Sequence, residues 1–130
     1  MENNLFTNHI CRGACYLLIG SFTKLWDEQS IFRDAQADFK IGAVSIYGES
    51  EAEFNRSKFL NNTAPFAANL RVENESKATL NHVTFEGSKA RLGSACISSE
   101  LSEMIVRSSI FSHFEGTAIT IQNGIKTFHI

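Results

Sequence analysis

Apolar residues in this chain recur in blocks of about 26 residues, a period typical of repeat proteins, and inside each block they alternate with polar residues at a spacing of two. The most regular position holds one phenylalanine per block: Phe6, Phe32, Phe59, Phe85 and Phe111. A spacing of two predicts short β-strands, because side chains alternate between the two faces of a strand. No stretch shows the 3.6-residue spacing of an amphipathic helix. The pattern therefore predicts an all-β repeat protein.

Two further apolar positions follow in each block. The second apolar position of each block follows the phenylalanine and is preceded by small residues. It is assigned to Cys15, Val44, Leu70, Cys96 and Ile119. Its companion, two positions later, is assigned to Leu17, Ile46, Val72, Ser98 and Ile121. A third position is assigned to Phe54, Leu80, Val106 and Phe128. Small residues such as Gly42 suit a tight corner. Each block is thus predicted to contain three short strands separated by corners.

A repeat of this length made only of strands cannot bury its apolar faces alone, so successive copies have to stack around a common interior. The prediction is a parallel β-solenoid of about five coils, in which each repeated position forms an internal ladder. A β-sandwich is the alternative, because its strands recur at a spacing of about 8–12 residues. A sandwich, however, has no need to return the same residue type to the same position five times, and we favour the solenoid.

The segments Gly42-Ala43-Val44 and Phe59-Leu60-Asn61-Asn62 resemble the paired GGA-[ILV] and FxxN signatures of polymorphic outer-membrane-protein repeats. The resemblance covers most of the chain as a period, while the coil from Gly42 to Asn62 comes close to both signatures together. It implies a right-handed parallel β-helix of the pectin-lyase-like class, located at the cell surface or outside the cell. Polysaccharide lyases and hydrolases share this fold, so the fold alone does not fix an activity. An inward Asn62 is expected to hydrogen-bond backbone groups at a corner.

Composition and charge narrow the class of protein. The 130 residues are 43% apolar and 20% charged, with a formal net charge of −2, which suits one globular domain. This charge disfavours a nucleic-acid partner. The apolar run from Ala14 to Ile19 is far shorter than the roughly 20 residues of a membrane-spanning helix, and the start of the chain lacks the pattern of a signal peptide. We predict one module, residues 1–130, cut mid-coil at both ends, whose open ends stack on further coils or on another copy.

Acidic residues supply the candidate chemistry. Four lie within two corners of the second coil: Asp27, Glu28, Asp34 and Asp38. All four are candidate calcium ligands, and Asp27, Asp34 and Asp38 are candidate acids and bases for glycan cleavage. The preferred interpretation is a solvated acidic face, partly neutralised by Arg33 and Lys40, with no cofactor. In a second acidic set, like charges are expected to stack as a ridge at equivalent corners, which is tolerable if Lys77, Arg56 and Arg71 intervene. The set contains Glu49, Glu51, Glu53, Glu73, Glu75, Glu100 and Glu103.

The three cysteines show neither a disulfide framework nor the spacing of a zinc site. Cys15 and Cys96 are expected to be small buried residues. They should not bridge each other, because three coil steps separate their Cα atoms by about 14 Å, twice the limit for a disulfide. A short bridge between Cys11 and Cys15 is the alternative for a secreted protein.

These features favour a non-catalytic binding or adhesion module that presents a rigid, repetitive surface to a protein or glycan partner. Two alternatives stay open. The first is a carbohydrate-active enzyme, either a polysaccharide lyase or a hydrolase. The second is a structural spacer in a larger assembly. Solenoid active sites are built from loops inserted between strands, and the even spacing of the phenylalanines leaves little room for such loops.

Overall fold

The structure, a computed structural model, describes residues 1–8, 10–12, 15–38, 41–122 and 125–129, with side chains described as far as residue 122. Within these ranges the chain forms eighteen β-strands and no helix. Equivalent strands of successive coils pair in parallel, so three sheets wind around a common interior. The predicted all-β solenoid is confirmed, and the five layers of the first sheet are joined by about four turns of the chain.

The three sheets follow one another along the chain in each coil. The first sheet contains β1 (Leu5–Thr7), β5 (Ile31–Arg33), β9 (Lys58–Leu60), β13 (Thr84–Glu86) and β16 (Ile110–Ser112). The second sheet contains β2 (Ile10–Cys11), β3 (Leu17–Ile19), β6 (Gln36–Ala37), β7 (Val44–Ile46), β10 (Thr63–Ala64), β11 (Leu70–Val72), β14 (Lys89–Glu100) and β17 (Glu115–Gln122). The third sheet contains β4 (Lys24–Glu28), β8 (Glu51–Asn55), β12 (Lys77–Asn81), β15 (Glu103–Arg107) and β18 (Ile125–His129).

The phenylalanine ladder of the first sheet is confirmed in full. Neighbouring strands pair phenylalanine with phenylalanine at every step. Ring centroids of successive members are 4.8–5.0 Å apart and the ring planes are nearly parallel. The three central rings, Phe32, Phe59 and Phe85, are fully buried. Offset stacking of this kind adds about 0.5–1.5 kcal/mol per pair beyond the burial of apolar area.

The corners on either side of the first sheet are built from residues with positive φ. One corner uses Asn3, Gln29, Arg56, His82 and Ser108 in the five layers. The other uses Asn8, Asp34, Asn61, Gly87 and His113. A single residue in the left-handed region turns the chain sharply between two strands, and Asn, Asp and Gly tolerate that region best. Backbone geometry therefore explains why Asn8, Asp34, Asn61 and Gly87 occupy the second of these corners.

Asn62 confirms the expectation for the inward asparagine. Its side chain is fully buried and its Oδ1 accepts a hydrogen bond from the backbone N–H of Ala35 at 2.9 Å. Its Nδ2 donates to the backbone oxygen of Phe32 at 3.0 Å and to Oδ1 of Asn69 at 2.8 Å. Asn69 in turn donates to the Ser88 hydroxyl at 2.6 Å. The interior of this corner is thus held by a polar network that crosses three coils.

The second sheet corrects two assignments made from the sequence. Val44, Leu70 and Ile119 share a ladder as predicted, but their partners in the other two layers are Leu17 and Ile97, not Cys15 and Cys96. The companion ladder likewise contains Ile19 and Ser99, not Leu17 and Ser98. The number of residues per coil is not constant. The chain from Leu17 to Val44 is one residue longer than the chain from Val44 to Leu70. The chain from Leu70 to Ile97 is also one residue longer, and the strand register shifts near Ser94 in this coil. A constant step along the chain misses both insertions.

Ser99 occupies a ladder position that Val72 and Ile121 hold in the neighbouring coils, and its hydroxyl is buried without a hydrogen-bond partner within the described part of the chain. A buried hydroxyl of this kind costs about 1–3 kcal/mol. We therefore expect Ser99→Val to raise the free energy of unfolding by about 1 kcal/mol or more, measured by urea denaturation. Ser98→Val, on the outer face, is the control and should change it little. A loss of stability in Ser99→Val would show that the hydroxyl has a partner.

Candidate functional site

The four acidic residues of the second coil lie in different surroundings. Asp27 points into the interior, where its ladder neighbour in the next coil is Phe54, and it is fully buried. The hydroxyls of Ser30 and Ser57 donate to its two carboxylate oxygens at 2.5 and 2.6 Å. The interpretation of Asp27 as part of a solvated face is therefore wrong. Two neutral donors compensate in part for the loss of hydration of this carboxylate.

The other three members of this set lie nearer the surface. Asp34 accepts a hydrogen bond from Nε of Arg33 at 2.8 Å, as the sequence interpretation expected, and Glu28 contacts the guanidinium of Arg56. Asp38 is exposed. Nowhere in the described ranges do three or more His, Cys, Asp or Glu side chains lie close enough together to hold a metal ion. The four carboxylates therefore do not form one cluster: Asp27 lies in the interior, and the other three lie at separate places nearer the surface.

The second acidic set forms a mixed ladder. Glu51 and Glu103 lie in one column of the third sheet, but Lys77 lies between them and Lys24 precedes them. The column alternates in sign, with N–O distances of 4.0 Å from Lys24 to Glu51 and 3.8 Å from Lys77 to Glu103. Lys77 therefore intervenes between the glutamates of this column, as expected, and like charges do not stack there.

Two of the glutamates flank a basic residue at the outer face of the second sheet. Arg71 donates from Nε to Glu73 at 2.9 Å and from Nη2 to Glu100 at 3.4 Å. Neutralisation by intervening basic residues was expected, and Arg71 and Lys77 provide it. Arg56 pairs with Glu28 instead. These pairs fix the side chains of Arg71 and Glu100 at the floor of the groove described below.

The cysteines are in two different states. Cys11 and Cys15 form a disulfide with a Cα–Cα distance of 5.4 Å, so the alternative kept open for a secreted protein is the one observed. Cys96 is free and fully buried, and the predicted absence of a bridge between Cys15 and Cys96 is confirmed. Burial raises the pKa of the Cys96 thiol to about 12, so the group stays neutral and unreactive at physiological pH.

A groove of about 550 Å³ follows the outer side of the second sheet, and unequal coil lengths create it. Leu70, Ile97 and Ile119 occupy one ladder position in three successive coils, yet the step from Leu70 to Ile97 is clearly longer than the step from Ile97 to Ile119. The fourth coil is therefore longer than its predecessor at this corner and the fifth is shorter. Arg91 and Leu92 consequently protrude beyond the last coil and form one wall of the groove. We refer to this feature as the corner groove.

The floor of the corner groove is polar and its rim is partly apolar. Floor residues come from three successive strands and point away from the core: Arg71, Ser98, Glu100, Thr120 and Gln122. Apolar rim residues are Phe66, 40% exposed, and Leu92, 67% exposed. Gly116 has φ of 112°, and a Cβ there would lie 2.8 Å from the Ala90 oxygen, so glycine keeps the shortened corner narrow. Arg91 forms no ion pair with other described residues.

Sequence reasoning did not find this groove. The phenylalanines advance in nearly equal steps throughout, and the shortening falls after the last of them, between Phe111 and Ile119. One signal was present in the sequence: the number of residues from Phe85 to Ile97 is about one and a half times the number from Phe111 to Ile119.

Among the described residues no helix is long and apolar enough to cross a membrane.

Comparison of the chain with protein-family models, with curated proteins and with solved structures gives no match. The assignment to a β-solenoid therefore depends on the strand register and on the internal ladders of this structure. The candidate site is defined by geometry, since it combines a groove, exposed apolar side chains and a polar floor.

Proposed function

We propose that the protein is a non-catalytic β-solenoid module that binds a glycan in the corner groove. The observation that carries this proposal is the combination, in one groove of about 550 Å³, of an exposed phenylalanine and leucine at the rim with hydroxyl and amide groups on the floor. Sugar rings present apolar C–H faces together with hydroxyl groups that both donate and accept hydrogen bonds. A site with apolar walls and a few fixed polar groups matches both properties.

The rigidity of the scaffold supports the same function. Ser98 and Thr120 lie on neighbouring paired strands, so their separation is set by the backbone hydrogen bonds of the sheet. Arg71 is held by two carboxylates before any ligand arrives. Side chains that are already ordered lose little conformational entropy on binding. An extended glycan lying across the strands would thus meet a row of fixed groups.

The proposed location is outside the cell or at its surface. The resemblance of the Gly42 to Asn62 coil to outer-membrane-protein repeats supports it, as does the pectin-lyase-like class that this resemblance implies. The disulfide between Cys11 and Cys15 adds a physical reason, since disulfides persist in oxidising compartments and are rare in the cytosol.

A glycan-array screen on the folded protein, followed by calorimetric titration of the best ligand, tests the proposal. We expect Phe66→Ala to weaken binding about tenfold, or about 1.4 kcal/mol, because it removes an exposed aromatic face from the rim. Phe22→Ala is the matched control, since Phe22 is exposed at a distant corner and lies outside the groove. Equal affinities for the parent and Phe66→Ala would reject the corner groove as the binding site.

The alternative of a carbohydrate-active enzyme has its own test. Glycoside hydrolysis commonly needs two carboxylates facing the substrate, and among the described residues lining the groove Glu100 is the one carboxylate, paired with Arg71. We expect no release of reducing or unsaturated sugar ends from pectin-like or chitin-like polymers, with or without calcium. If the parent protein released sugar ends and Glu100→Gln or Asp34→Asn abolished that release, the protein would be a carbohydrate-active enzyme. A complete absence of glycan binding, with a stable protein partner instead, would favour the spacer or a protein-binding module.

A further inference from the structure

The outer face of the third sheet carries an exposed tryptophan that the corner groove does not use. Trp26 lies in the middle of strand β4, at the edge of the sheet, and 46% of its surface is exposed. Its column continues through Glu53 and Thr79 in the next two coils. The inward neighbours Leu25 and Ala52 belong to the core side of the same strands, so packing in the core does not account for the outward position of the indole.

A shallow depression of about 330 Å³ lies beside the indole. The charged side chains that line it are balanced in sign, with Lys24 and Lys77 on one side and Glu51 and Glu53 on the other. Lys24 faces Glu51 at 4.0 Å. Glu53 accepts hydrogen bonds from the side-chain amides of Asn55 at 3.1 Å and Asn81 at 3.3 Å. The depression is therefore rich in both donors and acceptors and close to neutral overall.

We infer that this face is a second carbohydrate-binding site, in which a pyranose ring of a neutral glycan stacks on the Trp26 indole. The lysine ammonium groups donate to sugar hydroxyls, and the carboxylates of Glu51 and Glu53 accept from them. The site is separate from the corner groove, because it lies on a different sheet and shares none of the residues that line the groove. The inference does not depend on the proposed function of the groove.

The balance of charge decides which ligand fits. An acidic polymer would be repelled by the two carboxylates beside the indole, and a basic polymer would be repelled by the two ammonium groups. Neither polymer therefore gains net electrostatic attraction from this face. A neutral glycan meets no repulsion and uses both signs as hydrogen-bonding partners. The apolar area offered by one half-exposed indole is also well below that of a stable protein interface, which buries about 800 Å² on each partner.

Intrinsic fluorescence provides a direct test, because Trp26 is the only tryptophan in the chain. The intact protein is titrated with neutral oligosaccharides of stated composition, namely cellohexaose, chitohexaose, xylohexaose and mannohexaose, up to about 10 mM each, a probe range set by the weak affinities of single stacking sites. We expect at least one of them to shift or quench the emission saturably. Polygalacturonate and dextran sulfate should leave it unchanged.

Variants then assign the effect to the site. Trp26→Ala should weaken calorimetric binding of the responding oligosaccharide at least tenfold, while Phe22→Ala, an exposed aromatic outside the depression, should leave it unchanged. No response of the emission to any neutral oligosaccharide overturns the inference, as does a response to the acidic polymers alone. Failure here is distinguishable from failure of the groove, because Phe66→Ala removes a contact on another sheet and is not expected to alter the Trp26 signal.

Discussion

Phe59→Ala is expected to prevent stable folding. Phe59 is fully buried, stacks on Phe32 at 4.8 Å and on Phe85 at 5.0 Å, and meets Phe54 edge-on at 5.8 Å. Removing such a ring costs about 3–5 kcal/mol, through lost burial and the cavity left behind. Small domains have a total stability of about 5–15 kcal/mol, and this loss removes most or all of the stability of a domain at the low end of that range. The measurement is circular dichroism with urea denaturation of parent and variant.

The ladder itself supplies the control. Phe111 is only partly buried and has a single stacking partner among the described residues, Phe85 at 5.0 Å. Phe111→Ala should therefore fold, with a smaller loss of stability than Phe59→Ala. If Phe59→Ala melted within a few degrees of the parent, the central position of this ring in the ladder would be refuted.

Asn62→Leu is expected to destabilise the protein by at least about 3 kcal/mol, because it strands three buried polar groups that cost about 1–3 kcal/mol each. They are the N–H of Ala35, the carbonyl of Phe32 and the side-chain oxygen of Asn69. Leucine has a similar size, so loss of volume contributes little and the effect measures the hydrogen bonds. Equilibrium unfolding in urea gives the change in free energy.

Thr63→Leu is the control for Asn62→Leu, since Thr63 is the next residue along the chain and is exposed. It should alter the free energy of unfolding by less than about 0.5 kcal/mol, as surface substitutions usually do. A cost below about 1 kcal/mol for Asn62→Leu would mean that water replaces the amide and that the corner is not sealed.

The fold could be predicted because one large residue type marks each coil. Phe6 to Phe111 recur at nearly constant intervals, and an aromatic ladder requires that regularity. The second sheet was harder to predict, because its ladders are made of interchangeable small and branched residues. Cys96 and Ile97 are adjacent and both buried, so hydrophobicity alone could not decide which of them continues the ladder of Leu70.

Polar residues inside the solenoid were the least predictable. Asp27 stands in a ladder that continues as Phe54 and Leu80, and no sequence rule places a carboxylate there. Its burial depends on Ser30 and Ser57, which become its neighbours only after the chain has completed a coil. The corner groove escaped prediction for a related reason, since it depends on the difference in length between two coils.

The alternating column of Lys24, Glu51, Lys77 and Glu103 has a consequence for assembly of the coils. The phenylalanines are identical in every layer, so a chain that skipped one coil while stacking would still match ring to ring. In the charged column the same skip would set Lys24 on Lys77, or Glu51 on Glu103. Like charges at a spacing of about 4.8 Å repel by up to about 1 kcal/mol in water. The charged column therefore disfavours stacking that is out of register by one coil, an error that the aromatic ladder alone would tolerate.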